Sequence, residues 1–343
     1  MDYYLELIVR AYSDYANYLW QDILNPKWSS YFYALLFVSL VFFVLEVLLP
    51  WRRKQAVFRR DFFLDFFYMF FNFFLFSLVV YNAASSVVVD VINNGISWVT
   101  GGFDLQASNP MRLWPLWAVL LVGFLVRDFI QWWVHRLLHR VDFLWRFHQV
   151  HHSVQEMGFA AHLRYHWMET IVYRTVEYLP LALLGIGLYD FFIIHLFSLA
   201  WGHYNHANIR LPSWLTGGIV GGLVGLSIGS GSFDFYLLET TSWGTIVAGG
   251  LIGFGFGALA LRRVMTYVFN SPEMHLWHHA KSLPEERRFG VNFGLTLAVW
   301  DYVFGTNYQP YNDPELKLGF EGVEEFPEGF VGQVVKVPPL GGE

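Results

Sequence analysis

The stretch LWPLWAVLLVGFLVRDFIQWWVHRLLHRVDFLWRFHQVHH, residues 113–152, decides the fold. It opens with an apolar run from Leu113 to about Val134, close to the ~20 residues a helix needs to cross a bilayer. The run delivers the chain directly onto histidines. His135 and His139 stand at i and i+4, on one face of a helix; His148, His151 and His152 follow at i, i+3 and i+4. Asp128 lies seven residues before His135 and eleven before His139, so it shares their face. An acid near the end of an apolar span is costly unless paired. A ligating histidine usually donates its other N–H to a carboxylate or carbonyl. Asp128 is therefore expected to orient a histidine, or else to pair with Arg127, Arg136 or Arg140.

The whole chain has the composition that such a span implies. Of 343 residues, 55% are hydrophobic, 20% aromatic and 15% charged, against roughly 25% charged in average soluble domains. The net charge of -6 is mild, and no basic patch is interleaved with aromatics, so nucleic acid is not an expected partner. The absence of cysteine excludes disulfides, thiolate metal sites, Fe–S clusters and cysteine nucleophiles. Any metal must be held by nitrogen and oxygen. Met1-Asp2-Tyr3-Tyr4 lacks the basic start of a secretory signal, and no cleaved targeting segment is expected.

Tyr31 to Leu49 and Phe62 to Tyr81 are two further apolar runs. Between them lies the basic loop Arg52-Arg53-Lys54 to Arg59-Arg60, whereas Asn82 to Arg112 carries one cation. The positive-inside rule puts the first loop in the cytosol and the second outside. The third span then ends inside. Ile171 to Trp201, broken at Leu179-Pro180 and Gly185-Ile186-Gly187, reads as a hairpin that dips into the membrane. Trp214 to Phe233 and Trp243 to Leu261 read as another, with Asp234 and Glu239 in its turn and Arg262-Arg263 at its end. Every histidine cluster then falls on the cytosolic face. Tyr12, Tyr15, Tyr18, Trp20, Trp28, Tyr31 and Tyr33 resemble an interfacial aromatic belt, and the Phe-rich second span reads as a lipid-facing helix.

Histidine spacing carries the chemistry. His275-Leu276-Trp277-His278-His279 repeats the H-x-x-H-H pattern of 148–152 more than a hundred residues later, with His162, His166, His203 and His206 between. Neutral imidazole is the commonest side-chain metal ligand and suits Fe, Zn, Cu and Ni. Eight histidines in three boxes exceed the four ligands of one zinc; eight to ten suit two metals. A lone histidine such as His195 is better read as an interfacial histidine snorkelling at a helix end. Glu169, one turn after His166, is expected to support a ligand as Asp128 does, and Asp301 either orients the third box or caps a turn.

These residues resemble the fatty acid hydroxylase / sterol desaturase superfamily of membrane di-iron enzymes, from about Asp128 to about Thr306. The resemblance is carried by His135…His139, Leu144-Trp145-Arg146-Phe147-His148-Gln149-Val150-His151-His152, and Arg164-Tyr165-His166-Trp167-Met168-Glu169. It continues through His206-Ala207-Asn208-Ile209-Arg210-Leu211-Pro212, Ser271-Pro272-Glu273-Met274-His275, Asn292-Phe293-Gly294 and Trp300-Asp301-Tyr302. It implies two Fe ions, O2 as co-substrate, an external ferredoxin- or cytochrome-type electron donor, and hydroxylation or desaturation of a lipid C–H bond. The ligands it implies are His135, His139, His148, His151, His152, His275, His278 and His279, completed by His206 and His166, with His203 as the alternate. Trp167 stands where the family has Pro, and the stretch from Pro212 to Pro272 is longer than the family pattern.

The expected fold is all-α: a polytopic membrane helical bundle with a cytosolic, histidine-rich di-metal cap, in a bacterial inner membrane or the endoplasmic reticulum. Residues 1–112 supply two N-terminal spans. Residues 113–306 form the catalytic domain with a Gly-rich apolar insert at about 213–262, and 307–343 form a cytosolic tail. No Rossmann glycine fingerprint, haem-binding domain or hydrolase-type nucleophile–base pair is visible. Two rivals remain: a non-catalytic metal transporter or sensor, whose site belongs at mid-bilayer, and an ether-lipid or aldehyde-processing enzyme on the same scaffold.

Overall fold

A computed structural model describes residues 2–27, 30–76, 110–184, 186, 188–229, 243–261 and 263–335, with short pieces between 87 and 101. The described residues are helical, with only three isolated β-bridges. In chain order the helices are α1 (Asp2–Leu24), α2 (Tyr31–Leu48), α3 (Phe62–Phe70, running on through a π-turn at Phe71–Leu75), α4 (Leu116–Arg140) and α5 (Asp142–His152). Then come α6 (Trp167–Leu183), α7 (Leu188–His206), α8 (Ser213–Gly229) and α9 (Trp243–Phe256). Three short helices complete the cap: α10 (Pro272–His278), α11 (Val299–Val303) and α12 (Phe330–Val335).

Among the described residues, three helices are long and apolar enough to cross a membrane: α2, α4, and α9 with its π-turned end, Trp243–Leu261. The first apolar run is thus helical to Leu48, and the third becomes helical at Leu116, after Trp114-Pro115. The second is described only to Phe76, and the Asp234–Glu239 turn and most of the 82–112 loop lie outside the described residues.

The lipid-facing reading of the Phe-rich segment needs correction. Phe63, Phe66 and Phe67 are exposed, but Phe62, Asp65, Tyr68 and Met69 are buried. The cause is Asp65, which sits between Arg59 (2.7 Å) and Arg164 (3.1 Å), with Asp61 accepting from Arg164 at 2.8 Å. A buried charge survives only when paired, so this network turns one face of α3 onto the cap. Glu46 near the end of α2 works the same way. It accepts the backbone N–H groups of Phe159 and Asn208, both at 2.8 Å, and clamps the end of the span against the segments that follow α5 and α7.

The apolar stretch Ile171–Trp201 is helical as α6 and α7, and the break expected at Leu179-Pro180 does not occur, since α6 runs through Pro180 to Leu183. The Gly-rich insert forms as α8 and α9, and glycine explains how closely they lie. A Cβ at Gly221 would stand 2.2 Å from the Gly253 oxygen, one at Gly225 2.0 Å from Gly249 O, and one at Gly257 2.1 Å from Gly217 O. Six glycines at four-residue spacing therefore form two matched ridges, the small-residue packing that membrane helices use. The tail wraps the second box. Trp277 Nε1 donates to Tyr311 O at 2.8 Å, Gly319 N donates to His279 O at 3.0 Å, and Phe330 packs on Phe67 and Phe71.

Candidate metal centre

Helical spacing sorts the histidines before any tertiary contact does. In H-x-x-H-H the i and i+4 rings lie over one another, while the i+3 ring is displaced around the helix. The fold uses that displacement twice. His148 and His152 join His135 and His139 from α4 in one group, and His278 crosses from the second box to complete it. His275 and His279 join His206 from α7 in a second group, and His151 crosses from the first box. Each box thus gives two rings to one group and one ring to the other. Within each group the nitrogens lie within 4.8 Å of one another. All nine rings are buried except that of His139, which is partly exposed.

The outer nitrogens fix what the inner ones can do. His135 Nδ1 faces the Phe293 carbonyl at 2.8 Å, His148 Nδ1 the Glu169 carboxylate at 2.8 Å, and His278 Nδ1 the Val291 carbonyl at 2.7 Å. In the second group His151 Nδ1 faces Arg164 O at 3.0 Å and His206 Nδ1 faces Gly202 O at 2.8 Å. A carbonyl accepts only, so the proton of each neutral ring sits on Nδ1 and Nε2 carries a lone pair. Yet His135 Nε2 and His148 Nε2 stand 3.2 Å apart, and His206 Nε2 and His151 Nε2 stand 3.3 Å apart. These are lone pairs facing lone pairs. Burial first, then the neighbouring imidazoles, push His148, His152, His275, His278 and His279 well below the usual histidine range, and burial pushes His151 down to about 3. Adding protons between the rings is therefore unfavourable, and a bound cation is what the donor set fits. All-nitrogen donor sets suit zinc, copper, nickel or iron.

The expected supporting acids divide. Glu169 accepts from His148, and burial pushes its carboxyl up to about 8; a cation on the far side of His148 supplies the missing positive charge. Asp128 does not reach a histidine. It accepts from the backbone N–H groups of Thr296 (3.2 Å) and Leu297 (3.3 Å) and from the Trp300 indole (2.9 Å). None of the three arginines weighed against it takes that place among its hydrogen bonds. Asp301 accepts from Phe293 N, Gly294 N, the Trp132 indole and the Thr306 hydroxyl. It shapes the turn whose Phe293 carbonyl holds His135, so its effect falls on the His135–His139 pair rather than on His275–His279.

His166 stands apart from both groups. Its Nε2 faces Val334 O at 3.1 Å and its Nδ1 accepts from Met168 N at 3.1 Å, so both ring nitrogens are taken by main chain. His203 Nδ1 faces Leu199 O at 3.1 Å and its Nε2 faces the Ser39 hydroxyl at 3.2 Å; it too lies outside the groups. His195 lies inside α7, where it packs beside Tyr31 and accepts from Arg127 at 3.1 Å, rather than snorkelling at a helix end. Sequence reasoning missed Arg164, whose carbonyl orients His151 and whose guanidinium anchors α3. The available signal was Asp65, an acid inside an apolar run.

Residues 120–222 match the model of the fatty acid hydroxylase family. The match stops inside α8, so the second histidine box lies beyond it and returns to the centre only through the fold. The chain is 25% identical to an ornithine lipid hydroxylase of Rhizobium tropici over 223 residues, 65% of this chain and 51% of that relative. It is 24% identical to the alkylglycerol monooxygenase of Homo sapiens over 186 residues, 54% of this chain and 29% of that relative. Over 56 residues, 16% of this chain and 18% of the relative, it is 45% identical to a very-long-chain aldehyde decarbonylase of Oryza sativa subsp. japonica. The chain thus spans about half the length of the first of these relatives and less of the others. No solved structure matches. The histidine boxes and the all-helical fold that gathers them accord with the fatty acid hydroxylase domain that residues 120–222 match.

Proposed function

We propose that the protein is an O2-dependent, membrane-bound lipid oxygenase that hydroxylates or desaturates a C–H bond with two irons held by the nine gathered histidines. The observation that carries this reading is the pair of interlocked imidazole groups whose lone pairs converge without protons between them. Similarity to a lipid hydroxylase and an alkylglycerol monooxygenase supports a lipid as substrate, and similarity to an aldehyde decarbonylase keeps a related ether or aldehyde chemistry on the same scaffold in view.

His135, His139, His148, His152 and His278 would hold one metal and His151, His206, His275 and His279 the other. Bound there, the iron pair supplies the O2 activation and the C–H chemistry. The chain's own groups do the rest. Phe293 O, Val291 O, Arg164 O, Gly202 O and Glu169 fix ring orientation and tautomer, which raises the basicity of the inward nitrogens. Leu163, Leu199 and Leu295 line the adjoining cavity together with its polar groups, and the buried setting keeps bulk water from the clusters. Electrons come from a separate ferredoxin- or cytochrome-type donor. The basic loop 52–60 supports a cytosolic position for the clusters.

Metal analysis of detergent-purified protein tests the reading. About two irons per chain are expected, with a His151→Ala/His278→Ala variant losing both. Lipid profiles of cells with and without the protein should then differ by an added oxygen or a lost pair of hydrogens. Less than one metal per chain, unchanged by the two substitutions, sinks the metal centre and the function with it.

A further inference from the structure

We infer that the cavity between α4, α6 and α7 is a subsite for a lipid whose polar group carries both hydrogen-bond donors and acceptors, such as a glycerol hydroxyl, an amide or a zwitterionic amino acid. The inference rests on the lipid-oxidising reading above and names its substrate class. The cavity has a volume of about 130 Å³, and His135, His148, His151 and His206 wall one end of it. The walls running away from the clusters are mainly apolar, and a row of polar side chains runs along them. Arg127, Gln131 and His135 follow one another at i, i+4 and i+8 along α4, as Glu169, Tyr173 and Glu177 do along α6. Eight residues of helix rise about 12 Å, which sets the separation between the far polar end and the histidines.

Four atoms of Arg127, Gln131 and Glu177 are buried without a hydrogen-bond partner: Arg127 Nε and Nη1, Gln131 Oε1 and Glu177 Oε1. Their side chains are at least nine-tenths buried, at 3%, 7% and 4% exposure. Arg127 is held in place rather than loose. Its Nε lies 3.4 Å from Glu177 Oε2 in an ion pair and its Nη2 donates to His195 Nδ1 at 3.1 Å, which leaves two donors and two acceptors to be matched. Buried polar atoms left unmatched are destabilising, and ionisable groups at such depth in a membrane bundle mark functional sites. An alkane matches none of these atoms. A fatty-acid carboxylate matches the arginine but sets its oxygens against Gln131 Oε1 and Glu177 Oε1. A group that both donates and accepts matches both kinds.

Binding to the metal-loaded protein in detergent would be measured by thermal shift with four probes: hexadecane, hexadecanoic acid, 1-O-hexadecylglycerol and N-hexadecanoyl-ornithine. The last two are expected to bind at least about tenfold more tightly than the first two. Gln131→Leu should remove most of that preference, and Arg127→Lys, a milder change that keeps the charge, should reduce it, with metal content unchanged in both. Hexadecane binding as tightly as the polar lipids, no binding by either polar lipid, or a preference that survives both variants would overturn the subsite and leave a water-filled pocket. Metal content on the same samples separates the two readings. A polar-lipid preference in protein that retains no metal under iron loading would refute the oxygenase and leave the subsite standing.

Discussion

Substituting neighbours in the sequence should empty different metal positions, while substituting residues far apart should empty the same one. His151 and His152 are adjacent, yet they fall in opposite groups; His151 and His206, fifty-five residues apart, share one. The size of the effect follows from ligand number. Four-ligand structural zinc sites bind with about 10–16 kcal/mol, so one ligand in four is worth about 2.5–4 kcal/mol, or two to three orders of magnitude in affinity. In the five-ligand group one ring in five is worth about 2–3 kcal/mol on the same scale. Chelator titration with metal read by mass spectrometry gives the two affinities separately. His151→Ala should weaken one site about a hundredfold or more and leave the other near the wild-type value. Adding His206→Ala should then cost little further, because that position is already compromised. Adding His152→Ala should instead weaken the second metal. If the adjacent pair behaves as one site and the distant pair as two, the crossed arrangement is wrong.

Further consequences follow from single contacts. Glu169→Gln keeps the shape but removes the charge that His148 donates to at 2.8 Å, and metal affinity should fall about 10–100-fold, the usual cost of losing such a partner; unchanged affinity in a chelator titration would argue against the role of Glu169. Because His151 is held at about 3 in the fold and is near 6.5 when unfolded, the unfolded chain takes up protons first as pH falls. Stability and metal retention should therefore both decline from about pH 6.5 toward pH 3, and a flat Tm between pH 7 and 5 in metal-stripped protein would contradict this. Gly225→Leu drives a side chain into the Gly249 carbonyl and should destabilise the α8–α9 pair by about 1–3 kcal/mol. Its Tm should drop with metal content intact, since neither helix contributes a ligand; metal loss would tie the insert to the centre.

Much was legible in the residues because it depends on local periodicity. The run ending near Val134 had to contain a helix long enough to span, which α4 forms from Leu116, and H-x-x-H-H had to present two faces of imidazole. The glycine richness of the insert was visible in the same way, but that its glycines face each other as two ridges is known only from the fold. Glu169 was expected to support a ligand one turn after His166, and the fold sets its carboxylate 2.8 Å from His148 Nδ1.

What spacing along one helix could not reveal is which helix each ring would face. His166 sits in a motif and is buried, yet the tail brings Val334 O to its Nε2 and occupies it. Asp128 shares a face with His135, but the 296–300 turn, distant in sequence, presents three N–H donors that saturate the carboxylate first. The division of each histidine box between two groups is likewise a tertiary result. It arises because α5 and α10 present their i+3 rings toward each other's i, i+4 pairs. The sequence by itself determined that the chain would span a membrane and collect enough imidazole for two metals. Only the tertiary structure decided which nitrogens converge, because convergence depends on the long-range partners that claim or release each ring.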